Sequence, residues 1–352
     1  VERPGVSGKQ TALVIAPGRG TYNAGELGYL ARWHADARAF LAMADAYRAA
    51  LGQPTLTELD QAPAWKAGLH ARGDHASALI FACSWLDFSA IDRDAFDIVA
   101  VTGNSMGWYT ALACAGALAE APGLGLVNTM GAYMQEASIG GQAIWTLVDE
   151  DWRPIPGRRA ALMEAVADIH GQGGAELYVS IELGGMLVLA GNDVGLKAMT
   201  ERAPKGPGRF PLALPGHAGF HSPMQAPVSA RAKATIGRED FHQPAVPLID
   251  GAGGVWRPHA TDVAALWDYT LGEQVVETYD FTAAVQVGLK EFAPDKVIVL
   301  GPGETLGGAV AQSLIAARWR GLASKTDFVR TQTDDPFVLA MGRADQRALA
   351  TG

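Results

Sequence analysis

Apolar residues fall into short continuous runs closed by glycine or proline, with stretches of helical spacing between them. Residues 12–16 (ALVIA) run into Pro17-Gly18-Arg19-Gly20, and residues 98–101 (IVAV) run toward Gly103-Asn104-Ser105-Met106-Gly107. Both read as buried strands that end in tight turns. Residues 210–214, 246–249 and 296–300 repeat the pattern. Residues 27–51 have helical spacing, broken at Gly52-Gln53-Pro54, and predict one or two helices; residues 75–82 continue it, and 108–118 predict a helix that opens directly after the glycine-serine turn. This alternation predicts an α/β fold around a mostly parallel sheet.

The texture changes over residues 138–199. Residues 143–148 and 187–190 read as strands around a helix at 159–169, which predicts a small inserted subdomain; 1–137 and 200–352 then form the large domain. No repeat of fixed period and no low-complexity segment interrupts this plan. From Ser324 onward the residues are mixed and polar, and a peripheral tail is expected.

Composition narrows the classes. With 352 residues, 49% of them apolar, the chain can bury a large core. A formal charge of -9, without basic runs interleaved with aromatics, argues against nucleic acid and for a small or acylated substrate. Cys83 and Cys114 sit in apolar surroundings and read as buried thiols of a reducing compartment. The start VERPGVSGKQ has no signal-like apolar core and no later segment reaches membrane-spanning length, so a soluble, cytoplasmic protein without membrane contact is expected. There is no HExxH and no paired Cys/His spacing, so no metal is expected; Gly301–Gly308 (GPGETLGG) lacks the Gly-Lys-Ser/Thr of a phosphate loop.

The sharpest local signal is Gly103-x-Ser105-x-Gly107 between a strand and a helix. Glycines let strand and helix approach closely, so the serine is held up in a strained turn as a nucleophile, and the Met106 N–H at the helix start can face a developing oxyanion. A serine needs a base, and there are eight histidines. His221, in the loop His217-Ala218-Gly219-Phe220-His221-Ser222-Pro223, is the first candidate and His217 competes with it. His34, His70, His75, His170, His242 and His259 lie in segments without a partner motif and are expected mostly at the surface.

Together these stretches resemble the malonyl-CoA:acyl-carrier-protein transacylase family and the acyltransferase domains of polyketide synthases. The matches run in order along nearly the whole chain: PGRG at 17–20 for a PGQG-like turn, GNSMGWYTALACAGAL for the G-H-S-x-G-E elbow and its helix, YMQEA at 133–137, LVLAG at 187–191, GFHSPM at 219–224 for an F-H-S-P-L-M loop, and GPGETLGG at 301–308. The resemblance implies an α/β-hydrolase-like large domain with a ferredoxin-like insert, and ping-pong transfer through an acyl-serine. Ser105 would be the nucleophile and His221 the base, with the oxyanion hole formed by the backbone N–H groups of Met106 and Arg19. A main-chain carbonyl near Asp250 and Gly251 would orient the histidine, with Asp250 keeping a triad open. No permanently bound cofactor is implied; acyl-CoA and the phosphopantetheine thioester of an acyl-carrier protein would be substrates, and the family makes a monomer the default.

The departures bear on substrate. Malonyl-transferring members hold the substrate carboxylate with an arginine where this chain has Met130, in the context Met130-Gly131-Ala132-Tyr133-Met134-Gln135. A bidentate contact of that kind contributes about 1.5–3 kcal/mol, and a buried carboxylate left without it costs roughly 3–5 kcal/mol. Malonyl should then be a poor donor. Asn104 replaces the elbow histidine and Trp108 the following glutamate; Met130 with Trp108, beside Phe220 and Gln135, suggests a pocket for an uncharged acyl group, unless Met130 and Trp108 simply pack in the core. Arg19 is the counterweight: a relocated carboxylate clamp, a phosphate contact, or a surface residue. Glu182 stands at the expected site mouth, either selecting against anionic acyl groups or recognising a donor hydroxyl or amine, or else as a solvated loop carboxylate.

The leading expectation is transfer of an uncharged acyl group to a carrier protein, with Arg153, Arg158, Arg159, Lys197, Arg202, Lys205 and Arg209 as a basic docking patch on or beside the insert. A carrier-protein thioester hydrolase with the same residues, a malonyl transferase with a relocated clamp, a plain esterase and a non-catalytic binding protein are the alternatives.

Overall fold

The computed structural model describes residues 8–352. The large sheet has five strands, β1 (Gln10–Ala16), β2 (Phe96–Gly103), β7 (Leu248–Ile249), β10 (Lys296–Val299) and β11 (Val338–Ala340), and a sixth, β8 (Val255–Trp256), closes its edge. The order is β11-β10-β1-β2-β7-β8, parallel throughout except for the last pair. Helices cover both faces, so β1 and β10 are buried on both sides. This is why they read as continuous apolar runs instead of alternating ones.

A second sheet holds β3 (Gly141–Thr146), β4 (Leu177–Leu183), β5 (Met186–Gly191), β6 (Leu212–Ala213) and β9 (Tyr279–Asp280), in the order β6-β3-β5-β4-β9. With the helices Arg158–Ile169 and Asp193–Arg202 its first four strands make a β-α-β-β-α-β unit of ferredoxin-like connectivity. One face packs on those helices around Trp145, Leu162, Leu187, Leu189 and Met199, a core of its own. Ile181 and Val188 on the other face join the main core. The unit extends past residue 199 to β6, and β9 joins it from the large domain's sequence. β4 escaped the sequence reading because its polar positions Tyr178, Ser180 and Glu182 alternate with apolar ones, so it presents no continuous run.

Two expectations are corrected. The segment from Ser324 is not a peripheral tail: β11 is a strand of the main sheet, and Arg347 behind it is buried. Arg347 Nη1 donates to Asp87 at 2.6 Å, and the same buried carboxylate accepts from Tyr29 O–H and Gly301 N–H and meets His34 Nε2 at 2.8 Å. His34, His70 and His75 are accordingly buried and not at the surface, each bonded to a carboxylate or a carbonyl; His170, His242 and His259 are exposed. A polar composition hid this, because buried charges that satisfy one another look in sequence like solvated ones. Cys83 and Cys114 are buried free thiols. Among the described residues, no helix is long and apolar enough to cross a membrane and no cluster of metal-ligating side chains forms.

Candidate active site

β2 ends at Gly103, and the helix Gly107–Cys114 starts four residues later. A Cβ on Gly103 would collide with the Gly107 carbonyl, and one on Gly107 with the backbone oxygens of Ala16 and Pro17 at the end of β1. Only glycine permits this crossing of strand, turn and helix. It forces Ser105 into the left-handed region at φ 56°, which lifts its side chain out of the turn. The Tyr279 O–H donates to the Gly103 carbonyl at 2.5 Å and ties the turn to β9.

Ser105 Oγ lies 2.6 Å from His221 Nε2, and His221 Nδ1 lies 2.7 Å from the Gln274 carbonyl oxygen. A carbonyl only accepts, so Nδ1 carries the proton; in the neutral ring Nε2 is then bare and accepts from the serine hydroxyl. His221 also has a positive φ, 53°, is 4% exposed, and packs against the Tyr279 ring at 5.3 Å. Burial pulls its pKa down to about 4, with the Gln274 carbonyl opposing, so the ring is neutral near pH 7.

The residue that orients the histidine is therefore Gln274, and the expectation for Asp250 and Gly251 is corrected. Asp250 is committed to a turn, accepting from the N–H groups of Ala252 and Gly254 and from Trp256 Nε1. Gly251 N–H donates to Tyr269 Oη, and its Cα abuts the Tyr279 ring. Gln274 also closes the site with its side chain. Nε2 donates to the Ser105 carbonyl at 3.1 Å, and Oε1 accepts from Tyr109 O–H at 2.9 Å. Nothing in GEQVV marks this residue in sequence; only the packing of its helix, Glu273–Val276, brings it to the serine.

A narrow cavity opens beside Ser105, walled by Met130, Met134, Tyr109, Val275, Ser77 and Phe220, among others. On the other side of Phe220 a wider cleft lies between the two sheets, with Ser105, Asn104, Gln142, Arg209 and His217 on its walls. Arg19 lines both spaces. Its guanidinium stacks over Phe220 at 5.4 Å and donates to the carbonyls of Ala71 and Gly216, with no carboxylate in ion-pair range among the described residues. Burial brings its pKa down to about 10, which the charge of Asp74 partly opposes. Neither the Met106 nor the Arg19 backbone N–H meets a protein acceptor among the described residues.

The structure brings together Ser105, His221, Met106, Arg19, Met130, Phe220 and Asn104 at these two spaces. Three expected pocket residues lie elsewhere. Trp108 is fully buried behind the helix, its Nε1 donating to Thr270 and its ring edge-on to Tyr269, because the helix turns that face to the core. Gln135 accepts from Gly73 N–H and braces two helices. Glu182 sits on β4 paired with Arg159, whereas its neighbours Ile181 and Leu183 line the cleft. That pair also thins the expected basic patch: Arg158 is buried against the carbonyls of Thr146, Pro204 and Lys205, while Arg153 and Arg202 pair with Asp151 and Asp168. Lys197, Lys205 and Arg209 remain exposed.

No family model matches the sequence. The malonyl CoA-acyl carrier protein transacylase of Bacillus subtilis is 24% identical over 209 residues, 59% of this chain and 62% of that protein. The Salmonella typhimurium protein of the same name is 24% identical over 211 residues, 59% of this chain and 63% of that protein. The chain thus matches less than two thirds of the length of these curated relatives. Among solved structures, the malonyl CoA-acyl carrier protein transacylase of Coxiella burnetii superposes with a TM-score of 0.76 at 17% identity, covering 99% of this chain and 98% of that one. A malonyl-transacylase solved in complex with a type II polyketide-synthase acyl-carrier protein gives 0.74 at 18% identity, over 97% and 99%. The chain has the fold of the malonyl-CoA:acyl-carrier-protein transacylases.

Proposed function

We propose that this chain is an acyltransferase that carries an acyl group from an acyl-CoA or acyl-carrier-protein thioester to the phosphopantetheine thiol of a carrier protein, through an ester on Ser105. The observation that carries the reading is the line Ser105 Oγ, His221, Gln274 carbonyl at the junction of an apolar cavity and an open cleft. In the first half-reaction His221 Nε2 takes the hydroxyl proton as Oγ attacks the thioester carbonyl. The oxyanion that forms meets the N–H groups of Met106 and Arg19. Collapse breaks the C–S bond, and the departing thiolate takes the proton from His221. The second half runs the same steps in reverse with a new thiol. Like the relatives it resembles, the chain would work with an acyl-carrier protein, for which the exposed Arg209 at the cleft and the exposed Lys205 just before it in sequence offer cations.

Met130, Met134, Tyr109 and Val275 around the cavity support an uncharged acyl group. One observation favours a second reading: the Arg19 guanidinium lies at the same cavity with only carbonyl partners, where the terminal carboxylate of a malonyl-type donor would neutralise it. Single-turnover acylation from acetyl-, butyryl- and malonyl-CoA separates the two. For an uncharged substrate, Met130→Arg raises malonyl relative to butyryl acylation by about two orders of magnitude, and Arg19→Gln leaves the preference as it is. If wild type prefers malonyl and Arg19→Gln abolishes that preference, the second reading holds.

A further inference from the structure

The loop that delivers His221 is held to the second sheet by a chain of hydrogen bonds whose direction can be read from its last member. Ser180 Oγ on β4 lies 2.8 Å from the carbonyl oxygen of Phe220, the residue before His221. A carbonyl only accepts, so the serine hydroxyl donates, and its oxygen must accept from the group on its other side, Gln142 Nε2 on β3 at 2.6 Å. That fixes the Gln142 amide: its Oε1 faces His217 Nδ1 at 2.9 Å and can only accept. His217 therefore holds its proton on Nδ1, and its Nε2 is a bare acceptor with no partner among the described residues. Burial, reinforced by the charge of Arg19, pulls the His217 pKa down to about 3, so the ring stays neutral across the working range.

His217 lines the cleft that leads to Ser105, and it does not touch the serine, so the competition for the base role is decided by place. The cations of that cleft, Arg19 and Arg209, only donate, and no carboxylate lines it among the described residues. A neutral imidazole locked as an acceptor in such a wall suits a neutral N–H donor. Resting on the thioester-transfer reading above, we infer that His217 Nε2 accepts a hydrogen bond from the amide N–H of the pantetheine arm nearest the thiol, two carbons from the sulfur, and so positions the thioester over Ser105. Gln142 and Ser180 act through it as positioning residues, coupling the substrate contact to the loop of His221.

The test has two independent arms. Long-range 1H–15N correlation spectra of histidine-labelled wild-type protein, with His217 assigned by His217→Phe, should show the neutral Nδ1–H tautomer; an Nε2–H tautomer overturns the inference. For binding, S-ethyl-pantetheine, which cannot acylate, is compared with its analogue in which an ester oxygen replaces that amide N–H. The ester should bind wild type about 5- to 10-fold more weakly, and His217→Phe should bind both alike. If the ester costs the same in wild type and in His217→Phe, the contact does not exist. Acylation of Ser105 by acyl-CoA, followed in parallel, reports on the transfer reading separately, since binding of the unreactive thioether needs no turnover.

Discussion

The depressed pKa of His221 predicts that stability, and the acylation proposed for Ser105, respond to pH in ways an ordinary histidine would not allow. The unfolded ring titrates near 6.5 and the folded one near 4, because the buried imidazolium loses hydration that the Gln274 carbonyl only partly replaces. Above both values the ring is neutral in both states and contributes nothing to the pH dependence. As pH falls through 6.5 the unfolded chain takes up a proton that the folded chain refuses, so stability drops, and the loss is complete below about pH 4. A displacement of that size corresponds to about 3 kcal/mol. For the proposed catalysis the same burial is an advantage. At pH 5.5 a histidine of ordinary pKa would be protonated about ten to one, whereas His221 remains almost wholly neutral and able to take the serine proton. Rapid-quench intact-mass measurement of Ser105 acylation between pH 4.5 and 8 should therefore give a rate that is flat down to about pH 5. In chemical denaturation, wild type should lose about 3 kcal/mol more than His221→Gln between pH 7 and pH 4; His217, also depressed, contributes equally to both proteins. An inflection in the acylation rate between pH 6 and 7 would refute the argument, since it would mean that the base is solvated.

Two further predictions concern the frame of the site. Gln274→Leu removes the acceptor of the buried Tyr109 hydroxyl and the donor to the Ser105 carbonyl, which should cost about 2–5 kcal/mol in denaturation and slow acylation; adding Tyr109→Phe should recover part of the stability but not the rate. Arg347→Met leaves the fully buried Asp87 without its cation and should destabilise the fold by about 3–5 kcal/mol in the same assay, an outcome that a solvent-exposed tail would not give.

Much of this was legible in the residues. The runs at 12–16, 98–101 and 296–300 announced central parallel strands because strands buried on both faces cannot alternate, and the glycines around Ser105 announced the turn because no larger residue fits against Ala16 and Pro17. Ser105, His221 and Met130 meet where the motif order suggested. What stayed hidden depends on contacts between distant segments. Gln274 acts through a main-chain carbonyl, which any residue possesses, so its sequence carries no signal. Trp108 and Glu182 sat in the right motifs, but helix rotation and strand alternation turned both away from the cleft. His34 and Arg347 read as surface residues, yet three separate segments bring them together with Asp87 into one buried cluster.

The most direct test of the central claim is intact-protein mass spectrometry after brief mixing with acyl-CoAs, followed by addition of a holo acyl-carrier protein. The account predicts one acyl adduct per chain, mapped to Ser105, absent in Ser105→Ala, and passed on to the carrier faster than it is lost to water. Discharge mainly to water would make the protein a thioester hydrolase. An adduct that persists in Ser105→Ala, or none with any donor, would contradict the assignment of the nucleophile.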